Sequence, residues 1–333
     1  MVLTNVNAPK CAVLLAVYNG MHYLEEQIES ILNQENVNPI LFVSVDLSTD
    51  GSEPWLRELA ARDQRIRVLP YGEKFGGAAR NFFRLIRDVD FSAFDFVAFA
   101  DQDDRWNLDK LSQAIHSLNS SGCDAYSSNV TAFWADGKRF TINKAQPQKQ
   151  WDYIFEAAGP GCTYVMTANL MHALKARMIE VWNLLQEVSL HDWFCYAFAR
   201  ANGFKWYIDE KSSMLYRQHA YNQVGVNLGI KAYLNRFKKI KNGWWFTQAL
   251  LIAELVGVSQ SSFIDSWSKL NRIDLFRLSF HAFQCRRRLQ EQIFFLLICL
   301  LLSVTGGLGK YRANLNGILA NYTIDLTLAQ KDG

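Results

Sequence analysis

An apolar run ends in a cluster of acids in the stretch Phe96–Trp106, which reads FVAFADQDDRW. The first five residues are typical of a strand that is covered on both faces of a sheet. The carboxylates of Asp101, Asp103 and Asp104 repel one another unless a cation or basic partners offset their charge. Mg²⁺ and Mn²⁺ prefer such oxygen ligands, but acids also favour the start of a helix, so a metal site and a solvated acidic turn both remain open.

Polar segments also follow two other predicted strands, Ala12–Val17 and Ile40–Val45. Helical patterns lie between the strands at about Tyr23–Asn33, Glu53–Arg62 and Ala78–Asp88. This order predicts an α/β fold with a mostly parallel central sheet that is flanked by helices. In such sheets ligands bind outside the carboxyl ends of the strands, so we expect the polar segments to converge on one crevice.

The pattern changes after residue 121. Further strands are predicted at Ala125–Phe133, Cys162–Thr167 and Ser213–Arg217, and helices at Ala168–Gln186 and His191–Asn202. From about residue 229 only helices are predicted. The sequence therefore predicts a catalytic domain over 1–228 and a helical C-terminal region over 229–333.

The C-terminal region is basic and partly apolar. Residues 231–333 carry 14 Lys and Arg against 6 Asp and Glu, while the rest of the chain is acidic. A basic region points to an anionic partner, and its apolar helices favour a membrane face over nucleic acid. The ten apolar residues Ile293–Leu302 make about 15 Å of helix, half the hydrocarbon thickness. We expect them to lie in the interface or to pack in a bundle, against this chain or a second subunit, rather than to span.

The start of the chain and the cysteines bear on the cellular compartment and on zinc and disulfide chemistry. No continuous apolar run precedes Ala12, so we expect a cytoplasmic protein without a secretory signal. The six cysteines lack paired C-x-x-C spacing, which argues against a zinc site and a disulfide framework.

An ordered series of motifs between residues 10 and 227 resembles family 2 glycosyltransferases of the GT-A fold, in particular their bacterial rhamnosyltransferase-like branch. The motifs are AVLLAVYNGMHYLEEQIESILNQ, VSVDLSTDGS, GGAARNFFRLI, FADQDDRWNLDKL, GPGCTYVMT, LHDWF and YRQHAYNQVG. The resemblance implies an inverting, metal-dependent transferase that moves L-rhamnose from dTDP-rhamnose to a saccharide acceptor of bacterial surface polysaccharide, such as O-antigen or capsule.

The same resemblance assigns residues to roles. It implies that Asp192 is the catalytic base, because inversion needs one group to take the proton of the acceptor hydroxyl. It implies that Asp103 and His219 hold Mg²⁺ or Mn²⁺. The implied nucleotide-sugar contacts are Ala16, Val17, Tyr18, Asp46, Arg80, Asn81, Asp101, Gln102 and Arg217. The implied acceptor side comprises Gly161, Cys162, His191 and Trp193.

Several alternatives stay open at this point. Asp192 also suits the first turn of a helix for purely structural reasons. Thymine and uracil offer Asp46 the same imide N–H, so a UDP-hexose donor is an alternative. A nucleotidyltransferase and a catalytically inactive sugar-nucleotide-binding scaffold are rival functions. A lipid-linked acceptor, with peripheral contact at the inner face of the cytoplasmic membrane, is one alternative for the partner, and a homo-oligomer is another.

Overall fold

The computed structural model describes residues 8–219, 240–309, 311, 315–317 and 319. The chain forms two compact units. The first comprises Met1–Ala145, Ala158–Glu180 and Leu190–Val226, and the second comprises Gln146–Ala157, Val181–Ser189 and Asn227–Gly333. Two segments of the predicted catalytic domain thus belong to the helical unit. The predicted division at 228 and most of the basic segment Lys231–Lys241 lie outside the described residues.

A seven-stranded sheet forms the centre of the first unit. In chain order its strands are β1 (Lys10–Val17), β2 (Asn38–Val45), β3 (Ile66–Val68), β4 (Phe96–Asp101), β6 (Ala125–Ser128), β9 (Val165–Thr167) and β10 (Trp206–Asp209). Their spatial order is β10-β6-β9-β4-β1-β2-β3. Strands β1 to β4 pair in parallel, and β9 runs antiparallel to β4 and β6. The predicted α/β architecture with a mostly parallel sheet is confirmed.

Helices pack on this sheet through apolar faces. They are α1 (Met21–Leu32), α2 (Ser52–Arg62), α3 (Ala78–Asp88), α4 (Lys110–Ser121), α6 (Ala168–Glu180) and α8 (His191–Ala201). Leu24, Ile28 and Ile31 of α1 are buried at the three- and four-residue spacing of a helix face. In register, Val17 at the end of β1 lies beside Val45, and Ala16 lies beside Asp101. The segments that follow these strands therefore start side by side.

A second, four-stranded sheet was not predicted. It consists of β5 (Arg105–Trp106), β7 (Val130–Phe133), β8 (Arg139–Ile142) and β11 (Met214–Arg217), in the order β5-β11-β7-β8.

The second sheet also corrects the single strand that the sequence predicted over Ala125–Phe133. The buried Asn129 interrupts it: its side-chain amide donates to Glu210 O, and its side-chain carbonyl accepts from Lys144 N and Ala145 N. These bonds to distant backbone divert the chain from one sheet to the other.

Two further boundaries differ from the prediction. The helix predicted over Ala168–Gln186 ends at Glu180, and α7 (Trp182–Leu185) follows in the second unit. The strand predicted over Cys162–Thr167 begins only at Val165, after a short 3₁₀ turn over Gly161–Thr163. Neither run contains a glycine or a proline, so no local breaker in the sequence marks where the helix ends or where the strand begins.

The described part of the second unit is helical. Besides α7 it contains α5 (Asp152–Phe155), α9 (Trp244–Leu255), α10 (Ser262–Asp265), α11 (Arg272–Ser279), α12 (Ala282–Cys285) and α13 (Leu289–Thr305). Its core is an aromatic cluster in which Phe155 contacts Trp245, Trp267 and Phe295 with ring centroids 5.1–5.5 Å apart. Across the described ranges, no helix combines the length and apolarity needed to cross a bilayer.

Candidate active site

Hydrogen bonds join the loops that follow β1 and β2. Ser48 Oγ accepts from Asn19 N at 3.0 Å, Ser52 Oγ accepts from Gly20 N at 3.0 Å, and Asp50 accepts from Met21 N at 2.8 Å. Ser52 also begins α2, and its backbone N donates to Asp50 Oδ1 at 3.0 Å, so the second motif links the start of α2 to the start of α1. The polar residues after the two strands therefore build a fixed edge of the sheet.

Gln102 attaches the acidic loop to the end of β1. Its side-chain oxygen accepts from Tyr18 N at 2.8 Å, and its side-chain nitrogen donates to Tyr18 O at 3.0 Å. Tyr18 itself is 57% exposed and available to a ligand, whereas Ala16 is half-buried and the Val17 side chain is buried. The structure thus uses Gln102 to position Tyr18, and Val17 contributes its backbone carbonyl, which accepts from Asp46 N.

Asp46 is buried and engaged by backbone. One carboxylate oxygen accepts from Leu47 N and Phe75 N, and the other accepts from Gly76 N at 2.8 Å. A carboxylate has about four acceptor positions, so one remains for a nucleobase imide. The predicted base contact stays a prediction. The structure adds that Asp46 fixes the Phe75–Gly76 loop, which leads into α3.

The Arg-Asn pair at the start of α3 divides between surface and core. Arg80 is exposed, whereas Asn81 is buried and donates to Val17 O at 3.3 Å and Ser44 O at 3.1 Å. The Asn81 side chain therefore links the carboxyl ends of β1 and β2. This position favours a supporting role for Asn81 over the donor contact that the sequence predicted.

The structure brings the two predicted metal ligands together. His219 Nε2 lies 2.6 Å from Asp103 Oδ2, and both side chains are mostly but not fully enclosed, at 16% and 14% exposure. The Tyr23 ring stacks on the His219 ring at 5.0 Å. The carboxylate oxygen of Asp103 and the imidazole nitrogen of His219 form a donor set that suits Mn²⁺, and the carboxylate also suits Mg²⁺.

Arg217 secures the acidic loop and does not point freely into the crevice. Its Nε donates to Asp103 O at 2.7 Å, its backbone N donates to Asp104 Oδ1 at 3.1 Å, and its guanidinium pairs with Glu26. The nucleotide-sugar contact that the resemblance implies for Arg217 stays a prediction. Tyr23 and Glu26 were missed by the sequence prediction, although their three-residue spacing on α1 places them on one helix face.

A second group of possible metal ligands lies deeper. One ligand atom each from Asp101, Asp104 and Cys162 fall within 4.8 Å of one another. Asp104 and Cys162 are fully enclosed, and burial raises the pKa of the Cys162 thiol well above its usual range. The enclosure of Asp104 and Cys162 makes this group a poorer site for a cation that shares a diphosphate. The acceptor-side role that the resemblance implies for Cys162 stays a prediction.

Asp192 lies at the start of α8, as predicted. Burial raises the pKa of its carboxyl to about 6, although the backbone N–H of Trp193 and the charge of Lys144 act in the opposite direction. Burial raises the pKa of Asp101 to about 7, and the charges of Asp103 and Asp192 contribute to that increase. Asp101, Asp103 and Asp192 therefore interact electrostatically within one site.

Two residues of the implied acceptor side, His191 and Trp193, are buried, and their role there stays a prediction. The His191 ring stacks on Phe82 at 3.9 Å, and burial lowers its pKa to about 3, so the imidazole is neutral. Trp193 is only 2% exposed. Gly161 is also buried, and a Cβ atom there would lie 2.7 Å from His191 Nε2 and 3.2 Å from Asp192 Cβ. Gly161 and His191 thus pack closely around Asp192.

The fold is similar to that of S. aureus TarS 1–349 in its crystal structure with UDP. The match covers 92% of each chain with a TM-score of 0.53 and 13% identity, which carries information on the fold alone. The central sheet, with its acids at the carboxyl ends of the strands, is the GT-A fold of glycosyltransferases. By class, the protein is a glycosyltransferase.

The chain belongs to glycosyl transferase family 2, whose family model matches residues 12–174. It is 41% identical over 288 residues to the dTDP-rhamnosyl transferase RfbG of Shigella flexneri, covering 86% of this chain and 99% of that relative. It is 26% identical over 169 residues to the UDP-Glc:alpha-D-GlcNAc-diphosphoundecaprenol beta-1,3-glucosyltransferase WfgD of Escherichia coli, covering 48% and 61%. The predicted family is confirmed.

Proposed function

We propose that the protein is an inverting, metal-dependent rhamnosyltransferase that uses dTDP-rhamnose and a saccharide acceptor of a bacterial surface polysaccharide. The observation that carries the proposal is that His219 Nε2 lies 2.6 Å from Asp103 Oδ2 in the loop that follows β4, where the charge of Asp192 also acts on Asp101. The donor rests on the 41% identity to a dTDP-rhamnosyl transferase over almost its whole length.

The half-buried Asp192 carboxylate suits the role of general base. The acceptor hydroxyl attacks the anomeric carbon from the face opposite the diphosphate, and its proton passes to a carboxylate oxygen of Asp192. The bond between the anomeric carbon and the diphosphate oxygen breaks, and dTDP leaves with the bonding electron pair. A pKa raised to about 6 keeps Asp192 ionised at neutral pH while making it a stronger base than a solvated aspartate.

Asp103 and His219 would hold the divalent cation. When bound, the cation supplies charge neutralisation to the leaving diphosphate. These two ligands are held in place by contacts with Tyr23 and Arg217, and Arg217 is in turn paired with Glu26. A solvated acidic turn would not need these supporting contacts, so they favour a metal site in the acidic motif.

An acceptor carried on a lipid is the form that we favour. The relative WfgD acts, by its name, on a sugar linked through diphosphate to undecaprenol. A lipid carrier would bring this enzyme to the inner face of the cytoplasmic membrane as a peripheral protein. The helical unit is the part of the chain that offers a surface for such contact.

Donor binding tests the proposed function. Titration calorimetry and thermal unfolding would compare dTDP-rhamnose with UDP-glucose, each with and without Mn²⁺. We expect metal-dependent binding of dTDP-rhamnose that is at least about tenfold tighter, and a rise in unfolding temperature because the ligand binds the folded state. Equal or tighter binding of UDP-glucose would overturn the donor assignment. Binding of neither would overturn the function.

A further inference from the structure

The helical unit exposes an unusual amount of apolar surface. Nine of the fifteen exposed large hydrophobic side chains among the described residues fall within 273–304. They are Ile273, Phe276, Phe280, Phe283, Leu289, Ile293, Leu297, Leu301 and Val304. We call them the 273–304 surface. Concentrations of exposed apolar side chains of this kind mark binding surfaces rather than ordinary scatter.

Helix α13 carries more than half of this surface on one face. Leu289, Ile293, Leu297, Leu301 and Val304 recur every three or four residues and are exposed. Its opposite face is buried in the core of the helical unit through side chains that include Phe295, Ile298 and Leu302. The 17-residue helix is about 26 Å long and is held along its length, so its exposed face suits an interface rather than a span.

The remaining members extend the same surface. Helix α11 packs against α13, and Arg272 Nε at its start donates to Ser303 O at 2.8 Å. Ile273 and Phe276 lie on α11, Phe280 follows it directly, and Phe283 lies on the short helix α12. At 70% exposure, Phe280 is among the most exposed of these side chains. The apolar residues are thus held by two contacting helices and the short segment that joins them.

Exposed cations outnumber exposed acids in the segment that carries the apolar residues. In the stretch 266–309, which the structure describes throughout, the exposed charged residues are Lys269, Arg272, Arg277 and Arg288. The acids in this stretch are turned away from solvent. Asp274 is buried, and Glu291 is half-buried and pairs with Arg286 at 3.0 Å. Asp265, which immediately precedes the stretch, is exposed, but these four exposed cations against that one acid leave the segment with a positive surface, which complements an anionic lipid surface.

We propose that the 273–304 surface binds the headgroup and upper acyl region of an anionic phospholipid bilayer. A second copy of the chain is a weaker candidate, because a two-fold interface would bring like cations towards one another. The inference deepens the proposed function and rests on it for its purpose, since a lipid-linked acceptor lies at such a bilayer. Its physical basis, however, lies in the helical unit alone.

Co-sedimentation of the full chain with vesicles tests the proposal. We expect binding to vesicles of phosphatidylglycerol and phosphatidylcholine, weaker binding at high salt, and little binding to phosphatidylcholine alone. Phe280→Ser with Leu297→Ser should weaken binding at least about tenfold. Arg277→Gln with Arg288→Gln should weaken it by about tenfold or more at low salt. Matched controls are the exposed residues of the first unit, Phe140→Ser and Arg139→Gln, which should leave binding unchanged.

Three results would overturn the proposal. One is the absence of pelleting with anionic vesicles at low salt, and another is pelleting that the Phe280→Ser, Leu297→Ser protein retains in full. The third is a dimer, measured by analytical ultracentrifugation, that the same double variant dissociates. Metal-dependent binding of dTDP-rhamnose by this variant should equal that of the wild type, so loss of vesicle binding is distinguishable from failure of the proposed function.

Discussion

Asp192 combines a predicted position with an environment that only the folded chain provides. Its carboxylate lies at the first turn of α8, and its neighbours are the buried His191 ring, Gly161 and the acids of the β4 loop. Enclosure raises the pKa of the carboxyl to about 6, two units above a solvated aspartate. A helix-capping role would not need that shift, so the residue's chemistry is testable by pH.

Asp192→Asn should lower the transfer rate by about 10²–10⁴-fold at saturating donor and leave donor affinity nearly unchanged. In the wild type, Asp192 is protonated and inactive as a base below its pKa. The rate should therefore rise with pH through about 6 and level off above it. Rate measurements between about pH 5 and about pH 8 check both expectations. Asp136→Asn, in an exposed turn, is the matched control, and a pH-independent rate would contradict the assignment.

Asp103 and His219 make a second prediction at the residue scale. Loss of groups that only support a metal ligand typically costs about 10–100-fold in affinity, so loss of a direct ligand should cost at least as much. Asp103→Asn and His219→Gln should each weaken Mn²⁺-dependent binding of dTDP by about tenfold or more in calorimetry. Asp109→Asn, outside the site, should not. Unchanged Mn²⁺ dependence in both variants would move the metal to the group formed by Asp101, Asp104 and Cys162.

At the scale of elements, strand pairing explains how residues more than a hundred positions apart meet. Arg105 and Trp106 follow the acidic loop at once and pair with Leu215 and Met214 of β11. The chain leaving β11 must therefore pass the acidic loop, where His219 reaches Asp103. The short strand β5 gives no sequence signal of its own, since two residues carry no periodicity.

The turn before β9 supplies a prediction for the catalytic element. Gly161→Ala would put a methyl group 2.7 Å from His191 Nε2 and 3.2 Å from Asp192 Cβ. The His191 ring is stacked on Phe82 and has little room to yield, so Asp192 should be displaced. A displacement of about 1 Å can cost about 10²-fold in rate, so kcat should fall far more than donor affinity. In Gly309→Ala the nearest atom lies 3.8 Å from the new methyl group, and this control should keep kcat. Equal kcat in the two variants would show that packing at Gly161 does not position Asp192.

At the scale of the whole molecule, the two units are interleaved in sequence, because 146–157 and 181–189 join the helical unit. A buried ion pair secures the first of these segments. Arg287 Nη1 lies 3.3 Å from Asp152 Oδ2, with side-chain exposures of 3% and 0%. Arg287 also donates to Ala157 O at 2.7 Å. The helical unit is therefore closed by residues that the sequence places in the catalytic half.

Arg287→Met should lower the free energy of unfolding of the helical unit by about 3–5 kcal/mol, because it leaves the Asp152 carboxylate buried without its charged partner. Arg62→Met, which breaks an exposed pair with Glu58, should cost about 1 kcal/mol or less. Urea unfolding followed by tryptophan fluorescence compares them, since Trp245 and Trp267 lie in the helical core. A loss no larger than that of the control would show that the pair contributes little.

The sequence by itself determined the parallel sheet, the family and the acids at the ends of its strands, because apolar runs and local motifs encode them. Only the tertiary structure decided that Asn81, Gln102 and Arg217 support the site from within, and that Tyr23 and Glu26 belong to it. Burial and long-range hydrogen bonding fix those roles, and neither has a local sequence signal. The same reason explains why the break at Asn129 and the second sheet became visible only in the folded chain.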